Sequence, residues 1–278
     1  MIPDSVTNFL YLADCLPNKY PTFFTSFEKL LNECKINFEL IPHTKDVWAV
    51  DYMPIQTAGN KYVQFTYNPS YLQLKKYLPT ISDVDKICAT MGLPTSKTDI
   101  VLDGGNVVRS AHKAIMTDRI FGENPHYERN QLIKKLHELL QIDHLYFVPE
   151  QPGDFTGHSD GMVRFVDENT VVINDYSKEK DWFKRAFEIA IHNTGLDYIT
   201  LPYSLEGNTS NTQANGDYIN YLQMQNCIIA PTFNKGADES AVSKLKEIFP
   251  EQTIKTIDCG EIANHGGVLN CISWNITK

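Results

Sequence analysis

HSDGMVRFVDENTVVINDYSKEKDWFKRAFEIAIHNTGLDYITL, His158 to Leu201, holds one complete structural unit in 44 residues. It opens on a Gly/Asp-rich turn whose apolar continuation, MVRF, reads as a short strand. A second β-rich run follows in TVVIN (Thr170–Asn174), as expected of β-branched residues. KDWFKRAFEIAIHN, from Lys180, then spaces its apolar residues at the period of a helix, and DYITL (Asp197–Leu201) closes the unit as a third strand. Working outward, the same order recurs. Turns of the same character stand at VDYMPIQ from Val50, DGGNVV from Asp103, NGDYINYL from Asn215 and GGVLNCISW from Gly266. With Asp51, Asp103, His158, Asn215 and Gly266 as markers, the intervals are 52, 55, 57 and 51 residues, a period characteristic of a repeat architecture.

Second strands are predicted at KYVQFTY (Lys61–Tyr67), KAIMT (Lys113–Thr117) and CIIAP (Cys227–Pro231), and third strands at DIVL (Asp99–Leu102), HLYFV (His144–Val148) and TIKTID (Thr253–Asp258). Helical patterns lie between them from Tyr127 and Asp238, and more weakly over Asp83–Met91. The chain ends after the fifth turn and begins with NFLYLA (Asn8–Ala13), a helical stretch from Thr22 to Lys35 and FELI (Phe38–Ile41), the pieces that the fifth unit lacks. Joining them closes the ring and leaves no exposed sheet edge. The expected fold is therefore α/β, a five-bladed pseudo-symmetric α/β propeller of ββαβ units. It forms one domain over 1–278, its last blade completed by the N-terminal segment. The competing pattern is an ordinary three-layer α/β sandwich.

The 278 residues carry 25 Lys and Arg against 34 Asp and Glu, a net charge of −9, and have no basic run, so nucleic acid is not expected as a partner. No apolar stretch approaches the 18 residues of a membrane helix. The N-terminus lacks the pattern of a secretory signal, and the expectation is a cytoplasmic protein. Six dispersed cysteines without a C-x-x-C pair read as free thiols rather than a disulfide framework or zinc site.

In a ring of repeats the equivalent turns gather at one end of the axis, where their polar side chains converge. Trp48 and Asp51 belong to the first turn, Asp103 to the second, His158 and Asp160 to the third, and Cys271 beside Asn270 to the fifth. Alone, each has a structural explanation: Cys271 as a small buried hydrophobe, Asp103 as a turn former, Trp48 as core. If His158 and Asp160 lie on a strand, their i, i+2 spacing directs both to one side. Together, three carboxylates, an imidazole and a thiol describe a site where sulfur attacks a cationic substrate.

WAVDYMPI, LDGGNVV, GHSDGMVRFVD, GDYINYL and NHGGVLNCISW, in this order, resemble the motif series of the agmatine deiminase and bacterial (Porphyromonas-type) peptidylarginine deiminase family, within the guanidino-group modifying, or pentein, superfamily. The resemblance covers nearly the whole chain and implies the five-bladed pentein fold. It implies Cys271 as nucleophile, His158 as general acid/base, Asp51 and Asp160 as carboxylates that clasp the guanidinium, and Trp48 as a surface packing on the cation or its tail. Asp103 stands where the family usually has Glu, and would orient His158. The stretch from Tyr52 to Leu102 lacks the long Trp-rich insert of agmatine deiminases.

No metal or organic cofactor is implied. The activity implied is conversion of a small cationic guanidino substrate, agmatine first, into the ureido product, N-carbamoylputrescine, and ammonia through a covalent thiouronium on cysteine. Free arginine and peptidyl arginine are the other deiminase substrates, and both demand a cation near the pocket mouth, for which Arg109, Arg119 and Arg164 are the candidates. An amidinotransferase, a non-catalytic pentein that binds a partner, and a cysteine peptidase are the remaining readings. The resemblance also admits a homodimer.

Overall fold

The computed structural model describes residues 1–278. Fifteen strands form five separate three-stranded sheets. In chain order, β1 (Phe9–Ala13) and β2 (Asn37–Ile41) open the chain. They are followed by β3 (Ile55–Ala58), β4 (Lys61–Thr66) and β5 (Thr95–Val101), and then by β6 (Val108–Arg109), β7 (Lys113–Thr117) and β8 (His144–Val148). The next sheets are β9 (Val163–Phe165), β10 (Thr170–Asn174) and β11 (Asp197–Leu201), then β12 (Leu222–Met224), β13 (Cys227–Thr232) and β14 (Thr253–Asp258), and the last strand is β15 (Ser273–Ile276). Each sheet is made the same way. Its middle strand pairs antiparallel with the strand before it and parallel with the strand after it, the parallel partner being reached through the helical crossover that such a pair requires. The fifth sheet takes β15 from one end of the chain and β1 and β2 from the other, with Tyr11 opposite Trp274. This is the five-bladed α/β propeller, and the layered sandwich is excluded.

Why the blades hold together follows from the helix faces. The helix Asp181–Thr194 buries Phe183, Phe187 and Ile191, four residues apart, against its sheet, while Trp182 and Ile189 stay exposed, the one-sided stripe of a surface helix. The helix Pro21–Glu33 repeats this with Phe23, Phe27 and Leu31. It stops short of the expected Lys35 because that residue takes a left-handed backbone, φ 55°, which a right-handed helix does not accommodate. The third strand of the first blade runs Thr95–Val101 rather than Asp99–Leu102. It is an outer strand, exposed along much of its length, so the polar TSKTD residues are tolerated there.

The first strand of every blade carries a polar residue at matched register: Gln56, Arg109, Arg164, Gln223 and Asn275. Both arginines end on Asp4, Arg109 Nη2 at 2.7 Å from Oδ1 and Arg164 Nη2 at 2.7 Å from Oδ2, and Asn275 Nδ2 donates to Asp4 Oδ1 at 3.2 Å. One carboxylate thus bridges two guanidinium groups, that of Arg164 buried and that of Arg109 partly so, giving each an ion-pair partner inside the fold.

Candidate active site

The five turns precede their first strands, and each places its polar residue through a short local device. Trp48 leads into a single helical turn, Ala49–Tyr52, that buries Asp51. Asp103 and His158, both with extended backbones, stand at the start of 3-10 turns, Gly104–Asn106 and Ser159–Gly161. His158 and Asp160 are therefore not on a strand, contrary to the expectation. Met162 N–H bonds back to Ser159 O at 2.9 Å, and that turn delays the strand to Val163. Both residues still line one cavity with Cys271.

His158 is the centre of the site. Its Nε2 lies 3.0 Å from Asp103 Oδ2 and its Nδ1 3.4 Å from Asp51 Oδ1. Tyr71 Oη donates to Asp103 Oδ2 at 2.7 Å, and Gly105 N–H donates to Asp51 Oδ1 at 3.2 Å. On the far side, Cys271 Sγ is 3.7 Å from Asp160 Oδ2, which also receives Asn270 Nδ2 at 2.7 Å. Asn220 Oδ1 accepts the Cys271 N–H at 3.2 Å. All six expected residues come together. Trp48, Asp51, His158 and Cys271 line a chamber walled by Tyr20, Tyr67, Tyr71 and Tyr77, while His158, Asp160 and Cys271 line a second, polar chamber with Asp154, Tyr203 and Asp217. Asp103 stands behind the imidazole.

The electrostatics follow from burial and company. Burial alone would depress the His158 imidazole, yet the Asp51 charge and then the hydrogen bond to Asp103 prevail and push its pKa up to about 10, so it is an imidazolium at neutral pH. Burial raises the Cys271 thiol well above its usual value, and Asp160 and Asp51 raise it further. Asp51 and Asp160 are themselves raised by burial, an effect that His158 opposes. The site therefore holds a protonated imidazole and an un-ionised thiol.

Two glycines make the crowding possible. A Cβ on Gly105 would lie 2.6 Å from Asp51 Oδ1 and 2.7 Å from His158 Nδ1; one on Gly267 would lie 2.7 Å from the Trp48 ring and 2.8 Å from Cys271 Cβ. Gly105→Ala is therefore expected to displace both Asp51 and His158 and to lower kcat about 100-fold with the fold intact, because displacements near 1 Å carry losses of that size. Steady-state kinetics together with circular dichroism checks this, and activity near the parent level would refute the crowding argument.

The sequence reading did not single out Tyr71, Asn220 or Asp217 as site residues. Asn220 and Asp217 lie inside the quoted turn NGDYINYL, where repeat position was the available signal; Tyr71 lies in the irregular stretch between β4 and the helix Val84–Met91, which has no counterpart in the repeat. None of the three arginines considered for the pocket mouth lines either chamber, although Arg119 lies 5.3 Å from the Tyr71 ring that walls the aromatic one. Arg109 and Arg164 are committed to Asp4, and Arg119 pairs with Glu123 and Glu150, each at 3.1 Å.

The model of the Porphyromonas-type peptidyl-arginine deiminase family matches residues 22–276, a span that takes in every residue of this site. The chain belongs to that family. Among its relatives, a Mycoplasma mycoides protein that carries an agmatine deiminase name is 24% identical over 220 residues, 68% of this chain and 60% of that protein. This family member thus spans about 60% of the length of the curated relatives it matches. Campylobacter jejuni agmatine deiminase superimposes with a TM-score of 0.81 at 22% identity, covering all of this chain and 95% of that one. The dimethylarginine dimethylaminohydrolase of Pseudomonas aeruginosa aligns over 98% of this chain and all of its own with a TM-score of 0.61 at 11% identity. These likenesses establish that the family member has the pentein fold.

Proposed function

We propose that this protein is a deiminase that hydrolyses a guanidino compound with a cationic tail, agmatine being the best match, to the ureido product and ammonia. The observation that carries the reading is the convergence of Cys271, His158, Asp51 and Asp160 on two chambers whose linings include no Lys or Arg. A planar guanidinium offers paired N–H donors to carboxylates on either side. A substrate carboxylate, as in free arginine, would find no Lys or Arg there, the one cation being the His158 imidazolium already engaged by Asp51 and Asp103, and would face Asp154, Asp160 and Asp217. The same acidity disfavours the neutral carbonyl of a peptidase substrate.

As the cation docks between Asp51 and Asp160 it offsets the charges that hold the thiol protonated, so Cys271 ionises and its Sγ bonds to the guanidinium carbon. His158, already protonated, passes its proton to one nitrogen of the tetrahedral adduct. The C–N bond breaks, ammonia departs and takes up the proton shed by the thiol, and the amidino group stays on sulfur as a thiouronium. Neutral His158 then removes a proton from water, whose oxygen adds to the same carbon; as the adduct collapses the C–S bond breaks and the remaining hydroxyl proton passes to sulfur, which leaves as the Cys271 thiol and releases the ureido product. The balance is one guanidinium and one water giving one urea and one ammonium.

No helix is long and apolar enough to cross a membrane. The six unpaired thiols suit a reducing compartment, which supports placement in the cytoplasm. The test is ammonia release on agmatine, free arginine and an arginyl peptide. Agmatine is expected to exceed the other two by at least about tenfold in kcat/KM, since burying an unpaired carboxylate costs several kcal/mol. A preference for arginine or the peptide would overturn the substrate assignment, and silence on all three would overturn the reaction.

A further inference from the structure

The polar chamber contains a carboxylate that this reaction does not use. Asp217 is 9% exposed, and its Oδ1 is buried without a hydrogen-bond partner, a rare condition for such an atom. Its other oxygen is held against the His158–Gly161 turn, where a Cβ on Gly161 would come within 3.1 Å of Oδ2. Asp217 also forms a backbone bridge to Tyr203, whose ring lines the same chamber. Burial, then Asp160 and Asp154, push the Asp217 carboxyl well above the ordinary range. A cation placed beside a carboxyl raised by burial and by like charges favours its charged form.

Asp46 in the aromatic chamber is the rival anchor, but it is already engaged, with Lys19 Nζ at 3.5 Å and the Val47 N–H at 2.8 Å. Taking the function proposed above, the guanidinium occupies Asp51 and Asp160 where the two chambers meet at Cys271. The geometry points to Asp217 as the residue that binds a second positive charge on the substrate, an alkylammonium carried on a short chain, so that the polar chamber selects guanidino-amines over simple alkylguanidines.

The probes are agmatine and 1-butylguanidine, which has the same chain length and no amine. Asp217→Asn keeps the shape of the side chain and removes the charge. In the variant, kcat/KM for agmatine is expected to fall tenfold to about 100-fold, mostly through KM, while that for butylguanidine changes less than about threefold, as for loss of one charge-assisted contact. Equal losses on both probes would place Asp217 in the guanidinium clasp or the fold and overturn the proposal. No loss on either would overturn it as well, and so would a selective agmatine loss in Asp46→Asn with Asp217→Asn unaffected. Calorimetric binding of both probes to Cys271→Ala protein, with and without Asp217→Asn, gives the same comparison without turnover. If the parent releases ammonia from neither probe, the deiminase reading fails, yet tighter binding of agmatine that vanishes with Asp217→Asn still upholds the subsite, and equal binding of the two probes refutes it.

Discussion

Cys271→Ala is expected to lower kcat by at least about 100-fold while leaving the fold and agmatine binding in place. The thiol is the one group in the site able to form the bond to carbon, and losses on the order of 10⁶ are known where a sole nucleophile is removed. Little else depends on that sulfur. The backbone contacts of the turn, Cys271 N–H to Asn220 Oδ1 and Val50 N–H to Cys271 O, do not involve the side chain, so the melting temperature should change little. Residual turnover above about one hundredth of the parent rate would remove Cys271 from the nucleophile's role.

His158→Gln is the second large effect, and it has two readouts. Loss of the proton donor and acceptor should lower kcat by about 10²–10⁴-fold. The second readout is stability against pH. The imidazole pKa rises from 6.5 to about 10 in the fold, so the stabilisation it brings to Asp51 and Asp103 is fully present below pH 6.5 and is lost as pH rises through about 10. The parent's advantage over the variant in denaturant midpoint should therefore narrow between these limits. A difference that stays constant from pH 6 to 10 would show that His158 is not the buried imidazolium described.

The parts of the fold most readable from the sequence were the middle and outer strands. KAIMT, HLYFV, TVVIN, DYITL and TIKTID coincide with β7, β8, β10, β11 and β14 residue for residue. The middle strands, covered on both faces, read as nearly continuous apolar runs, and the outer ones are bounded by a helix end and a turn. First strands were harder: β6 is only Val108–Arg109, too short to show alternation, and β12 starts seven residues after the marker Asn215. The candidate site was legible wherever repeat position could substitute for local pattern, which is how Asp51, Asp103, His158, Asp160 and Cys271 were selected. It was illegible elsewhere. The 3-10 turn that carries Asp160 is closed by a local backbone hydrogen bond, and the bond from Tyr71 to Asp103 joins an irregular segment to the next blade's turn; neither has a periodic signal.

The blade assembled from both chain ends has a consequence for biosynthesis. Translation proceeds from β1 to β15, so Asp51, His158 and Asp160 exist as polypeptide well before Cys271, which comes two residues ahead of the closing strand. Until β15 docks on β1, with Trp274 Nε1 reaching Pro54 O at 2.8 Å just beyond the Asp51 turn, the Cys271 side chain is not fixed against Asp160. That pairing joins residues almost a full chain length apart, and contacts of this range are the slow ones in folding. On the function proposed above, a partly made chain is chemically inert, and reactivity begins only with the last long-range step, when the ring closes.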